Sequence, residues 1–348
     1  MTAAVIVGAT GAVGEELRRL VADRDLPAGE LRLVASARSV GRRLRVRGGH
    51  AEVRPLVPEV FDGARLAFFS AGAGVSREWA PAAAGRGALV VDNSSAWRMD
   101  PRVPLVDADV NAAAALDHPL GIVANPNCTT LTITPVLAAL RDRFGLEAIT
   151  PTSFQAAGGS GQKGMDELAE QAAKLLGDRD LLRRGGRPEA LPAGHTFPRP
   201  IAFNVVPQCM PFDQQETGYT VEELKLRNEP RRILGLPALV CHPTCVRVPV
   251  MVGHSVSVRA VCARPVDLDA FRADLAAAPG VTVADDGSGQ GYPTPLECAG
   301  SDGVFVGRIR RDLADPKALL FWSVADNLRK GAALNAVQIA ETLLRGAA

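Results

Sequence analysis

The chain has almost no net charge: acidic and basic residues nearly match over 348 positions, and the formal charge at pH 7 is +1. A broad basic field able to hold nucleic acid or an anionic membrane is therefore missing, and any anion must be held by local clusters. Long hydrophobic runs are missing too. Gly, Pro and Arg interrupt every candidate well short of the roughly 20 apolar residues that a bilayer crossing needs, so no membrane span is expected. The apolar run at residues 3–7 is too short for the core of a secretory signal and ends at once in Gly8, so the chain is expected to stay in the cytoplasm. A disulfide framework is also absent. The cysteines Cys128, Cys209, Cys241, Cys245, Cys262 and Cys298 are scattered through a long chain and read as free thiols. Cys241, His242 and Cys245 cluster, but no second pair at ligand spacing follows, so no metal is expected. No internal repeat is visible.

What the chain does have is material for a core. Hydrophobic residues make up 47% of it, more than one ordinary core absorbs, which predicts two domains of unequal kind. Apolar runs at residues 3–7, 31–35, 65–70, 88–91 and 121–124 are mostly continuous rather than alternating, the pattern of parallel strands covered on both faces. Helical patterns at 15–22 and 77–84 fit between them, so the first part reads as a Rossmann-type, doubly wound α/β domain. After Cys128 a helix-like run at 131–143 leads to an apolar run at 149–156, a glycine-rich turn and a helix at 165–176. Residues 177–199, rich in Arg, Gly and Pro, read as a surface loop. Alternation at 245–250 and 253–262 predicts an antiparallel sheet with one covered face, hence an α+β second domain. The expected boundaries are 1–128 and 129–327. Helical spacing over 328–344 predicts a last helix that returns to the first domain, completing it with residues 328–348.

Immediately after the first run comes Gly8-Ala9-Thr10-Gly11-Ala12-Val13-Gly14, followed by a helix. Glycines there permit a tight turn and close backbone approach, so free amides at the helix N-terminus can hold a pyrophosphate, with Gly8, Thr10, Gly11, Ala12, Val13 and Gly14 as the cofactor-binding turn. A glycine triplet alone also fits an ordinary loop; the strand before and helix after favour the dinucleotide. The second run ends in Ala35-Ser36-Ala37-Arg38-Ser39, without the acid that would grip the ribose hydroxyls of NAD. Arg38 and Ser39 offer a cation and a hydroxyl to a 2′-phosphate, so NADP is the expected cofactor. The arginines at 42, 43, 45 and 47 read as a solvated face.

At the end of the fifth run stands Asn125-Pro126-Asn127-Cys128-Thr129-Thr130, with a helix pattern straight after. That puts Cys128 at a helix N-terminus, where dipole and free amides favour the thiolate that attacks a carbonyl. A buried structural cysteine is the competing reading.

In order along the chain, the glycine turn, Asp92-Asn93-Ser94-Ser95-Ala96-Trp97-Arg98, Asn125 to Thr130, Gln155-Ala156, Glu222-Glu223-Leu224-Lys225, Arg247-Val248-Pro249, Gly253-His254 and Asn327 to Ala332 resemble the motifs of aspartate-β-semialdehyde dehydrogenases over nearly the whole length. The resemblance implies NADPH-dependent reduction of L-aspartyl-β-phosphate to the semialdehyde and phosphate through a Cys128 thioester, on the route to lysine, threonine and methionine. It also implies roles. His254 is the general acid/base, Arg247 grips the substrate carboxylate, Glu222 takes the ammonium, and Arg98 and Lys225 share the phosphate. Glu222 and Lys225 equally fit a plain intrahelical ion pair. Gln155 and Asn127 orient the substrate and steady the thiohemiacetal oxygen, Gly158 and Gly159 approach the cofactor by backbone, and Asn327 contacts the nicotinamide side. A homodimer through the sheet of the second domain is expected from the same source.

The chain departs from the family's Gln-Ala-x-Ser-Gly by having Gly158 where the serine stands. One hydrogen bond, typically worth about 0.5–1.5 kcal/mol net, is then missing, and turnover or substrate preference is expected to change. Three rival readings follow. An N-acetylglutamyl phosphate reductase would have no use for an ammonium-binding Glu222. A specialised-metabolism enzyme acting on another small acid fits Gly158. A non-catalytic dinucleotide sensor has no use for Cys128, His254, Arg247 and Lys225 together.

Overall fold

The computed structural model describes residues 3–24, 26, 29–185, 193–286 and 291–346. They form two compact units. One comprises Met1–Thr134, Glu229–Leu236 and Leu328–Ala348; the other comprises Pro135–Asn228 and Pro237–Asn327.

The sheet of the first unit contains β1 (Ala3–Val7), β2 (Glu30–Val34), β3 (Arg43–Val46), β4 (Gly49–Arg54), β5 (Ala64–Phe69), β6 (Leu89–Asp92) and β7 (Ile122–Ala124), in the order β3-β4-β2-β1-β5-β6-β7. All neighbours run parallel except β3 and β4. Alternate side chains of one strand go to opposite faces, and here both faces are covered. Ile6, Leu33, Phe68 and Val91 join one buried cluster with Leu17, Leu20, Val337 and Leu343. Val5, Val7, Ala67 and Val90 join another with Ala80, Ala83 and Phe61. This is why the strands read as continuous apolar runs.

The arginine run is a solvated face, as expected, with Arg42, Arg43, Arg45 and Arg47 all exposed, and it adds a strand that the sequence did not announce. Arg43 and Arg45 are exposed, but Leu44 and Val46 between them pack on the core. The C-terminal segment packs on this unit, as expected, through a π-helical turn at Arg329–Leu334 and the helix Asn335–Gly346. Lys330, fully buried in that turn, meets Asp109 at 2.6 Å.

The second unit holds β8 (Leu146–Gln155), β9 (Val240–Cys241), β10 (Thr244–Arg247), β11 (His254–Cys262), β12 (Val281–Val283), β13 (Val304–Arg311) and β14 (Ala318–Ala325), ordered β10-β8-β11-β14-β13-β12, with β9 also on β8. β11 is antiparallel to β8 and β14, as its alternation predicts. β10 is not: it runs parallel to β8, because the chain between them crosses over through the helices Gln162–Leu176 and Val221–Ile233. The run at 131–143 is two helices, Cys128–Leu131 and Thr134–Phe144. Pro135 stands in the first turn of the second, where its missing N–H breaks no bond. The expected loop at 177–199 contains a short helix, Arg179–Arg184, which Asp178 starts by accepting from the Leu181 N–H. Residues 186–192 of that stretch lie outside the described residues. No helix among the described residues is long and apolar enough to cross a membrane.

Candidate active site

In the first unit the glycine turn joins β1 to the helix Ala12–Asp23. Gly8 has φ +94°, and a Cβ on it would lie 2.3 Å from the Ser70 carbonyl oxygen; a Cβ on Gly14 would lie 2.2 Å from that of Gly8. Packing alone demands these two glycines. Gly11 is different. It is the exposed N-cap, and a side chain there would make only an ordinary contact at 3.5 Å. Its lack of one leaves the amides of Ala12, Val13 and Gly14, the unpaired first turn of the helix, open to an approaching anion. Thr10 is half-buried beside it. The turn fits a dinucleotide pyrophosphate on these grounds. Beyond β2, Arg38 is exposed while Ser39 is buried in a short 3-10 turn.

Cys128 opens the helix Cys128–Leu131, and Asn127 caps it: the Asn127 Oδ1 accepts from the Thr129 N–H at 2.9 Å. Of the six cysteines, Cys128 alone is not buried. Nearby, Arg98 is 6% exposed and donates from all three guanidinium nitrogens: Nε to the Asn125 carbonyl at 2.9 Å, Nη2 to the Asn93 carbonyl at 2.8 Å, and Nη1 to Glu229 at 3.0 Å. Sequence reasoning missed Glu229; its one signal was a helical position on the face of Glu222 and Lys225. It also passed over Asn93 inside its own motif. Both polar atoms of the Asn93 side chain are buried without a partner.

In the second unit, Gln155, Arg247 and His254 are brought to one end of three adjacent strands. Arg247 of β10 stands in register with Gln155 of β8, and β11 begins at His254 beside them. His254 is fully buried, and its Nδ1 accepts from the Ala156 N–H at 3.0 Å. In the neutral ring the proton is therefore on Nε2. Burial first, and the Arg247 charge second, lower its pKa to about 3 against a smaller opposing effect of Glu222. Arg247 donates from Nη1 to the Ala156 carbonyl at 2.7 Å and lies 5.7 Å from the Phe197 ring centre, while its buried Nε has no partner.

Glu222 is 5% exposed, accepts from Gln155 Nε2 at 3.3 Å and pairs with Lys225 at 3.0 Å, so the intrahelical ion pair is real. Pro230 has no N–H to give the Leu226 carbonyl of the same helix, and the Cys241 thiol donates there instead at 3.6 Å. Gly158 and Gly159 lie in a 3-10 turn after β8. A Cβ on Gly159 would stand 2.7 Å from Arg247 Nη1 and 3.2 Å from His254 Nε2, so the glycine lets the chain graze both groups. Asn327 accepts at Oδ1 from the Gly253 N–H at 2.8 Å, and its buried Nδ2 is unpartnered. Among the described residues no group of three or more His, Cys, Asp or Glu is placed to hold a metal.

The first unit offers an accessible thiol at a helix start; the second offers a buried neutral imidazole and buried donors lacking acceptors. Comparison with known proteins matches residues 3–118 to the family model "Semialdehyde dehydrogenase, NAD binding domain" and residues 137–330 to "Semialdehyde dehydrogenase, dimerisation domain". An aspartate-semialdehyde dehydrogenase of Streptomyces akiyoshiensis is 46% identical, over 97% of this chain and 96% of its own. One from Bacillus subtilis is 42% identical over the same shares, 97% and 96%. The crystal structure of aspartate semialdehyde dehydrogenase II from Vibrio cholerae, complexed with ASA, superposes with a TM-score of 0.91 at 39% identity, covering 99% of this chain and 98% of that one. The chain belongs to the aspartate-semialdehyde dehydrogenase family.

Proposed function

We propose that the protein catalyses the reversible, NADPH-dependent reductive dephosphorylation of L-aspartyl-β-phosphate to L-aspartate-β-semialdehyde, on the lysine, threonine and methionine route. The observation that carries this reading is the strand end at Gln155, Arg247 and His254: a buried guanidinium with a free Nε, beside a neutral imidazole and the Glu222 carboxylate. A carboxylate, a carbonyl oxygen and an ammonium are the groups that such a set receives.

The cofactor is a nicotinamide dinucleotide, and we take it to be NADP, since exposed Arg38 follows β2 and no acid stands at 35–39. When bound, it supplies or takes the hydride. The glycine turn would hold its pyrophosphate, and the Asn327 Nδ2 and backbone of Gly158 and Gly159 its nicotinamide side. The Cys128 thiolate attacks the acyl phosphate; the C–S bond forms as the C–O bond to phosphate breaks, and Arg98 and Lys225 take up the leaving charge. The thioester carbonyl is reduced to a thiohemiacetal, whose collapse frees aldehyde and thiolate. The neutral His254 gives an Nε2–H hydrogen bond to the oxyanion that forms on reduction and keeps its proton as that oxyanion collapses to aldehyde and thiolate. Arg247 holds the α-carboxylate, Glu222 the ammonium, and Gln155 and Asn127 the orientation.

A homodimer belongs to the proposal. The second unit leaves Phe154 and Trp322, with ring centres 5.5 Å apart, only partly buried on β8 and β14 of its sheet. Phe203, Val205 and Phe212 of the same unit are each more than half exposed. Exposed apolar groups of this kind suit a second copy of the chain. A monomer by light scattering at micromolar concentration would remove this part.

The test is the reverse assay: L-aspartate-β-semialdehyde with NADP or NAD, with and without phosphate, on wild type and Cys128→Ala. Phosphate-dependent NADPH formation that Cys128→Ala abolishes is expected. Folded protein that binds NADP yet forms no NADPH would overturn the substrate.

A further inference from the structure

Glu229 is a carboxylate only 1% exposed, and both its oxygens are engaged within the first unit. Oε1 accepts from Arg98 Nη1 at 3.0 Å; Oε2 accepts from the backbone N–H of Asn127 at 2.6 Å. The first partner is the cation assigned to the departing phosphate. The second is the amide directly before Cys128, on the residue whose side chain caps the Cys128 helix. Arg232, one turn further along the helix Val221–Ile233, donates to the carbonyls of Arg98 and Val103. That helix end therefore grips the Arg98 loop at its side chain and at its backbone.

We propose that Glu229 is a positioning residue for phosphate transfer: one carboxylate ties the phosphate-receiving guanidinium to the loop that presents the nucleophile. This deepens, and rests on, the reading of Cys128 and Arg98 given above. The geometry asks for glutamate. Glutamine has one acceptor oxygen for two donors and would turn its own N–H towards one of them. Aspartate is shorter by one C–C bond, about 1.5 Å, and cannot reach both partners unless the chain moves. A buried ion pair is poor value for stability alone, because an apolar pair of similar volume does as well or better. Glu229 and Arg98 are therefore better explained by the orientation they enforce.

The test compares wild type with Glu229→Gln and Glu229→Asp. Phosphate binding is read without turnover, by inorganic phosphate protecting Cys128 from iodoacetamide, followed by mass spectrometry of the Cys128 peptide; the remaining cysteines are buried. The half-protecting phosphate concentration is expected to rise at least about tenfold in Glu229→Gln, the scale of one charged hydrogen bond, and the KM for phosphate in the reverse assay should rise with it. The KM for NADP should stay within about twofold. In an Arg98→Met background the Glu229→Gln change should add little, since its partner is gone. A merely structural Glu229 predicts a lower Tm with every kinetic constant of the folded fraction unchanged, and that result overturns the proposal. Should Glu229→Gln fail to fold, the same readings on Glu229→Asp decide. If wild type shows phosphate protection but forms no NADPH, the substrate reading fails while the Glu229 test still stands.

Discussion

Each of the two units holds a buried arginine, and the protein keeps the two in opposite ways. Arg98, in the first, spends every guanidinium nitrogen on protein acceptors, one of them the carboxylate of Glu229. Arg247, in the second, makes one backbone bond, sits against the Phe197 ring and leaves Nε buried without a partner. Leaving a buried donor unmet costs about 1–3 kcal/mol, so it persists where a ligand brings the acceptor. In the proposed function, Arg98 would therefore be a fixture that lends its charge to a site already built, and Arg247 a receiver that substrate would complete. Residue type alone does not separate them; the hydrogen-bond accounting does.

The two arginines should answer differently to replacement by lysine, and the largest effects are expected there. Arg247→Lys loses the planar fork that holds Ala156 and a carboxylate together, and kcat/KM for the semialdehyde should fall by a few hundredfold, about 3–4 kcal/mol, at unchanged phosphate KM. Arg98→Lys should raise the phosphate KM and lower Tm, because Glu229 loses its matched partner. Steady-state kinetics with both substrates and a melting curve decide it. If the two variants lose the same parameter, the distinction between fixture and receiver is wrong.

A smaller effect is expected from Gly159→Ala. The added Cβ would lie 2.7 Å from Arg247 Nη1 and 3.1 Å from the His254 ring, so it must push one of them aside. We expect kcat/KM to fall about tenfold to a hundredfold with Tm little altered, because a misplacement near 1 Å is costly to chemistry and cheap to folding. Gly74→Ala is the control. A Cβ there meets nothing within 4 Å, and activity should not change.

Gly158 shows where the sequence stopped being legible. Its lack of a serine hydroxyl reads as a lost hydrogen bond, but the structure shows a closed space: a Cβ at 158 would lie 2.8 Å from the Met251 carbonyl, which already accepts the Gly158 N–H at 2.9 Å. Gly158→Ser should therefore destabilise the fold by about 1–3 kcal/mol, as overpacking does, and recover no activity; a higher urea midpoint would contradict this. Other gaps have similar causes. The core strands of the first sheet are readable because both faces are buried, and the whole run is apolar. β3 hid because arginine occupies its exposed side. The direction of β10 was invisible because alternation reports a covered face and says nothing of polarity. Cys128, His254 and Arg247 were singled out through motif order, whereas Glu229 meets Arg98 across 131 positions of chain, and no local pattern announces such a pairing.

The smallest expected effect concerns stability and pH, and it returns to Arg247. His254 is kept neutral in the fold, its pKa lowered to about 3 by burial first and by the Arg247 charge second. An unfolded histidine takes up a proton below about 6.5, so the unfolded state binds more protons than the native one in that range. The contribution of His254 is thus fully present above about pH 6.5 and is lost as pH falls from there towards 3, by at most about 1.4 kcal/mol per unit. Asp92 and Asp107, whose carboxyl pKa values burial raises, act in the other direction, so only a difference is clean. Urea midpoints of wild type should fall more steeply between about pH 6.5 and 5 than those of His254→Asn, by up to about 1 kcal/mol per unit. Equal slopes would mean that the ring is not held neutral. A ligand carboxylate on Arg247 cancels the second cause, so saturating Cys128→Ala with substrate should make the wild-type imidazole easier to protonate and the acid slope shallower. The receiver would then do two things at once: it orients the substrate, and by losing its bare charge it removes the second of the two causes that hold the neighbouring imidazole neutral, leaving burial, the larger one, in place.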